Sequence, residues 1–227
     1  MHRLNDINHT NLKVVLTHVG ADVGEDGKTH QCVDYINLTR NLFHFNILCP
    51  ADPNQTDRIF RWLINKPGNY IVAMGRSKLS IIRKEDGTPY YGIDYNFEPG
   101  KQDLLRDGKN GTIFVCGTPV GNALKAVDNL RLQGIYPRLV YIASPLLIDQ
   151  EIIEDAQKTG VIFTIEDHSI HGGLGTSVAE KIVQSGLSCP LVKIGVADYP
   201  ISGNSTDLYQ KLGLDSVSIA SVIKQHV

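Results

Sequence analysis

A chain of 227 residues with 42% hydrophobic composition can bury a core and hold one large domain or two small ones, which excludes disorder as its organising state. With 22 Lys and Arg against 24 Asp and Glu it has no long-range field to gather nucleic acid or an anionic membrane, so any anionic ligand has to be small and locally held. No apolar run approaches the ~20 residues of a membrane span, and the cysteines Cys32, Cys49, Cys116 and Cys189 form no CxxC pair, so the expectation is a cytoplasmic protein without a zinc site or a disulfide framework.

In chain order, the short apolar run Val14, Val15 and Leu16 reads as a buried strand. Residues 33–42 follow as a helix and 45–48 as a strand, stopped by Cys49-Pro50-Ala51-Asp52-Pro53. A helix over 56–64 is broken by Lys66-Pro67-Gly68-Asn69, and the run from Tyr70 to Met74 is the next buried strand, ending at Gly75-Arg76-Ser77. Alternating strands and helices with short connections predict a parallel sheet covered by helices, with ligands at the carboxyl ends of the strands. His18 and Arg76 both belong to that end.

Residues 83–110 carry turn chemistry, including Glu85-Asp86-Gly87, and read as a linker with one or two short strands. The pattern then restarts. Strands are expected at 112–116, 139–142, 160–165 and 191–194, and helices at 120–133, 149–159, 175–184, 206–212 and 215–226, with Thr206 and Asp215 as helix N-caps. The fold class is therefore α/β, as two three-layer segments with mostly parallel sheets: 1–82, a linker at 83–110, and a second domain at 111–227.

The densest chemistry lies after the first strand, where Thr17-His18 precedes Gly24-Glu25-Asp26-Gly27-Lys28-Thr29-His30-Gln31. Its glycines let His18, Asp26 and His30 converge, and imidazoles can hydrogen-bond a hydroxyl or a phosphate. A plain turn with incidental histidines is the alternative. A metal is a third use, but the spacing matches neither HExxH nor a zinc knuckle, so none is expected. The Arg76 guanidinium could grip a phosphate with two parallel hydrogen bonds, or form an interdomain salt bridge. The run Glu166-Asp167-His168-Ser169-Ile170-His171-Gly172-Gly173-Leu174-Gly175 lacks the lysine of a P-loop and does not fit GxGxxG. Close packing of a helix on a sheet, with Glu166 and His168 at a polar interface, is the better reading.

Taken in order, Leu16-Thr17-His18, the GEDGxTHQ run from Gly24 to Gln31, Pro50-Ala51-Asp52, Gly75-Arg76-Ser77 and the EDHSIxGGLG run from Glu166 to Gly175 resemble the transketolase family over nearly the whole chain. The first segment is similar to the latter part of that family's pyrimidine-binding domain, and the second to its C-terminal domain. The resemblance implies that His18 and Arg76 hold the phosphate of a sugar phosphate, that Asp26 contacts a substrate hydroxyl, and that His30 is catalytic beside the thiazolium of thiamine diphosphate. It leaves the other cofactor-contacting residues unassigned. Related deoxyxylulose-phosphate synthases share the GxDGxTH portion but differ around positions 17–18 and 74–76, which favours the transketolase branch. Val19, Lys28 and Cys32 depart from the family's usual residues in the loop.

The family's Gly-Ile-Arg-Glu-His segment and its Gly-Asp-Gly motif do not occur in the chain. Thiamine diphosphate and magnesium are thus expected in a complete enzyme and not on this chain alone, which is expected to be inactive by itself. The resemblance implies a C-terminal portion or subunit of a transferase that moves a two-carbon ketol unit between sugar phosphates in the pentose phosphate pathway. Its expected partners are a polypeptide supplying the diphosphate-binding half and the missing pyrimidine-domain residues, and further copies in an oligomer, through an uncovered sheet edge. A non-catalytic sugar-phosphate-binding or assembly module, and a folded fragment with no role of its own, are the alternatives.

Overall fold

The computed structural model describes residues 2–227. The first segment contains α1 (His2–Ile7), β1 (Lys13–Leu16), α2 (Tyr35–Arg40), β2 (Phe45–Leu48), α3 (Pro53–Leu63) and β3 (Asn69–Ala73). Its three strands are all parallel, in the order β1-β3-β2, with Leu16 opposite Ala73 and Leu48 opposite Val72. α1 has no counterpart in the periodicity of the sequence. It is held by tertiary bonds, as the Asp6 carboxylate accepts the N–H groups of Phe43 at 3.1 Å and His44 at 2.7 Å.

α3 starts three residues earlier than its expected onset at Thr56. Asp52 is its N-cap and accepts the Gln55 N–H at 2.8 Å, while Pro53 occupies the first turn, where its missing N–H costs no helical bond. Ile59 and Leu63, one turn apart, then face the core.

The second segment is β4 (Gln102–Arg106), β5 (Thr112–Cys116), α4 (Val120–Arg131), β6 (Arg138–Ile142), α5 (Gln150–Gln157), β7 (Ile162–Ser169), α6 (Leu174–Gln184), β8 (Leu191–Val196), α7 (Ser205–Leu212) and α8 (Ser216–Lys224). Its sheet runs β4-β6-β5-β7-β8, parallel throughout except for the antiparallel edge strand β4. Gln102–Arg106, within the stretch read as linker, is thus a member of this sheet. The fold is mixed α/β with two mostly parallel sheets.

Two local expectations are corrected. α7 is capped by Asn204, whose side chain accepts the Thr206 N–H at 2.9 Å, and Thr206 itself lies inside the first turn. Asp215 does cap α8, accepting from Val217 and Ser218. β7 continues past Ile165 to Ser169, so Glu166, Asp167 and His168 are buried strand residues and not the start of a loop.

The two sheets are joined at their interior. The Cys49 N–H donates to the Ala143 carbonyl at 2.8 Å, and the buried Tyr141 hydroxyl donates to the Cys49 carbonyl while accepting the Gly117 N–H at 3.1 Å. Leu48 and Val72 of the first sheet pack in one cluster with Val115 and Tyr141 of the second. On the far side, among the described residues, β1 pairs with β3 alone, and Val15 at mid-strand is 45% exposed.

Candidate functional site

The candidate site grows from the carboxyl ends of β1 and β3. Their parallel ladder continues beyond β1, where the Val19 N–H donates to the Met74 carbonyl at 3.2 Å. His18 and Arg76 therefore leave neighbouring strands at one rim of the sheet. Gly20 N–H to Cys32 carbonyl at 2.8 Å closes the neck of the intervening loop. Inside the neck, Ala21–Asp26 winds as a 3-10 segment kinked at Gly24, and the His30 N–H returns to the Gly27 carbonyl at 2.9 Å.

The structure brings Arg76 and Asp26 together. The Arg76 guanidinium donates to the Val23 carbonyl at 2.9 Å and lies 3.4 Å from a Glu25 carboxylate oxygen and 3.6 Å from one of Asp26. This ion pair lies within the first segment and does not bridge the two segments. All three side chains are substantially exposed, so the pairing is screened and exchangeable. His18 and His30 are exposed as well. Each has its Nδ1 2.9 Å from the hydroxyl of the preceding threonine, Thr17 or Thr29, and among the described residues no hydrogen bond or ion pair joins either ring to Arg76 or Asp26.

The loop is anchored by residues that sequence reasoning did not single out as site residues. Asp167, on β7 of the second sheet, accepts the N–H groups of Ala21 at 2.8 Å and Asp22 at 2.9 Å, and the Tyr209 hydroxyl at 2.8 Å. Asp22 in turn accepts the Ser77 N–H at 2.8 Å, which pins the arm just after Arg76. One buried carboxylate thus orients the 3-10 segment, and a second ties that segment to the arginine arm. Gly20 is required at the neck: its φ is +78°, and a Cβ there would overlap the Asp167 carboxylate. From the other side, Gln31 bonds the carbonyls of Gly24 at 3.1 Å and Ile201 at 3.2 Å, and the Ser202 hydroxyl bonds the Glu25 carbonyl.

Glu166 turns the opposite way along β7. Its carboxyl group accepts the Leu174 and Gly175 N–H groups at 2.6 and 2.8 Å, so the amino end of α6 is already occupied by the protein's own side chain. Arg40 closes over this turn, bonding the Gly172 carbonyl at 3.2 Å and the Ser177 hydroxyl at 2.7 Å. The glycine loop is thus a helix-on-sheet contact with Glu166 and His168 at a polar interface. Burial pushes Asp167 up to about 6 and Glu166 up to about 7, against the lowering effect of their N–H donors. Burial lowers His168, whose Nδ1 donates to the Ser169 carbonyl at 2.7 Å.

The side chains of the described residues form no ready-made ligand set for the magnesium of thiamine diphosphate. Among the described residues, no three His, Cys, Asp or Glu side chains could hold a metal ion together, and the buried carboxylates Asp22, Glu166 and Asp167 already accept backbone N–H groups. No helix among them is long and apolar enough to cross a membrane.

Residues 1–81 match the model of the transketolase pyrimidine-binding domain, and residues 100–219 that of the transketolase C-terminal domain. A protein from Methanocaldococcus jannaschii, named provisionally as a transketolase C-terminal section, is 36% identical over 96% of this chain and 66% of its own length. One of the subunits of the apulose-4-phosphate transketolase of Phocaeicola vulgatus is 32% identical over 96% of this chain and 67% of its own. A solved structure described as a split-gene transketolase, an inactive β4 tetramer, superposes with a TM-score of 0.82 at 30% identity, covering 97% of this chain and 67% of that one. The chain spans about two thirds of the length of these relatives. Motifs, paired sheets and similarity agree that this chain belongs to the transketolase family and corresponds to its C-terminal part.

Proposed function

We propose that this chain supplies the sugar-phosphate rim of a thiamine-diphosphate-dependent transferase of the transketolase type. In this reading His18 and Arg76 hold the phosphate, Asp26 accepts a hydroxyl of the sugar, and His30 stands beside the reacting carbon of the cofactor when a second polypeptide presents it. The observation that carries the reading is the parallel register of β1 and β3, from which His18 and Arg76 leave at one rim. The exposed Arg76 pairs with Glu25 and Asp26, and a phosphate with a bidentate claim on the guanidinium displaces them at little cost. Asp26 is then free for a sugar hydroxyl.

The cofactor supplies the carbanion chemistry, and its diphosphate and magnesium are held by the partner polypeptide. One relative named as a single subunit of a transketolase and another as a split-gene transketolase support a two-polypeptide assembly, and the description of the latter as an inactive β4 tetramer supports inactivity without the second polypeptide. The lone edge of β1 supports its completion by further chain, from a partner or a longer form. Calorimetric titration of ribose 5-phosphate tests the rim directly. Binding by the full chain is expected to be lost in both His18→Ala and Arg76→Ala, and ketol transfer is expected only after a diphosphate-binding polypeptide is added. Full turnover by this chain with thiamine diphosphate and magnesium alone would refute the assembly reading. Rim-dependent binding without partner-dependent turnover would select a non-catalytic sugar-phosphate module.

A further inference from the structure

The rim has two arms, the 3-10 segment that carries Asp26 and the strand exit that carries Arg76, and both lie against the amino end of α7 from the second domain. On the first arm, Gly24 lies so close that a Cβ there would sit 3.2 Å from the Gly203 carbonyl oxygen and 4.0 Å from the Ser205 Cβ. On the second, the Ser77 hydroxyl, one residue after Arg76, donates to the Ser205 hydroxyl at 3.1 Å. Ser205 thus adjoins both arms at once. The helix does not need its hydroxyl as a cap, because Asn204 fills that role by accepting the Thr206 N–H at 2.9 Å.

Tyr209 lies one turn further along the same face of α7. Its buried hydroxyl donates to Asp167, the carboxylate that holds the 3-10 segment, and accepts a hydrogen bond from the Thr118 hydroxyl. Thr118 in turn presses on the start of the arginine arm, since a Cβ on Gly75 would overlap its methyl group and the Asp22 carboxylate. A single helix face therefore reaches both arms, and a rigid element between two loops fixes their separation. We infer that α7 is a spacer for the rim, with Ser205 and Tyr209 as positioning residues that set the distance of Arg76 from Asp26 and so the match to phosphate and hydroxyl on one sugar. The match to a sugar rests on the sugar-phosphate reading of the rim, whereas the placement of the arms does not.

The test is a double-mutant cycle of Ser77→Ala and Ser205→Ala in the full chain, read by NMR amide exchange at position 77 and by calorimetric titration of ribose 5-phosphate. Each single variant is expected to lower protection of the amide at position 77 about fivefold, the weight of one lost hydrogen bond, and the double variant no further than either. Tyr209→Phe is expected to lower protection of the Ala21 and Asp22 amides by a similar factor, about fivefold. Affinity for ribose 5-phosphate is expected to fall about fivefold in Ser205→Ala. A merely structural Ser205 would lower protection within α7 and leave position 77 unchanged. Protection at position 77 within about twofold of wild type in Ser205→Ala, additive losses in the double variant, or an unprotected Ser77 amide in the wild-type chain each overturn the inference. Lowered protection with ribose 5-phosphate affinity held within about twofold overturns it as well, since the arm would then move without consequence. A wild-type chain that does not bind ribose 5-phosphate refutes the rim reading instead, and the exchange cycle alone then decides whether α7 places the arms.

Discussion

Two segments of this protein carry nearly the same letters: Glu25, Asp26 and His30 in the glycine loop after β1, and Glu166, Asp167 and His168 on β7 just before its glycine turn. The first set is exposed, and among the described residues its carboxylates reach only the movable Arg76 side chain. The second set is at most 1% exposed, and both carboxylates are taken by backbone N–H groups, those of α6 for Glu166 and those of Ala21 and Asp22 for Asp167. Like residues thus serve opposite ends. A carboxylate becomes available to a ligand when the protein's own donors point elsewhere, and becomes a fastener when two fixed N–H groups converge on it. The fastener also aims the available group, since Asp167 sets the 3-10 segment on which Asp26 rides.

The comparison breaks most sharply at Asp167. Asp167→Ala strands the Ala21 and Asp22 N–H groups and the Tyr209 hydroxyl in the interior, and a loss of about 3 kcal/mol in urea denaturation is expected. A loss below about 1 kcal/mol would show that the clamp is not the fastener described. Glu166→Gln keeps the shape but sets an amide group against one of two N–H donors, and about 2 kcal/mol of destabilisation is expected in the same measurement.

pH sharpens the contrast. Asp167 and Glu166 hold their protons more tightly in the folded than in the unfolded chain, with values raised to about 6 and about 7. Their contribution to stability is therefore full below the ordinary carboxylate range and is lost as pH rises through those values. Between about pH 4 and about pH 7 the unfolding free energy is expected to carry this downward slope, and Glu166→Gln, with no proton to lose, flattens it. An identical slope in wild type and variant removes Glu166 as a source. The smallest effect belongs to the exposed loop: Asp26→Asn is expected to shift stability by less than about 0.5 kcal/mol, because its ion pair with Arg76 is screened. A change of several times that size would make Asp26 a structural residue and close the contrast.

Most elements are legible from local pattern, and the failures have separate causes. β2 and β5 end where apolar runs meet cysteine, proline or glycine, and their spans coincide with the expectation. The α3 onset is misread because proline ends a helix and also begins one, and only the Asp52 cap distinguishes the two. β7 overruns its apolar stretch because partners distant in the chain keep its polar end in place, Cys116 opposite Glu166 in the ladder and the Ala21 and Asp22 N–H groups on Asp167. His18 and Arg76 are legible as residues at the carboxyl ends of strands, whereas Asp22 and Asp167 carry no local signal of what they hold.

What the chain determines locally is its alternation of strands and helices, its turns, and the polar groups delivered to the strand ends, because run length, proline and glycine act within a few residues. Which carboxylates are fastened and which stay free is decided only when the two sheets meet. Ala21 and Asp167 lie 146 positions apart in sequence, and burial together with convergent N–H donors arises only from that contact.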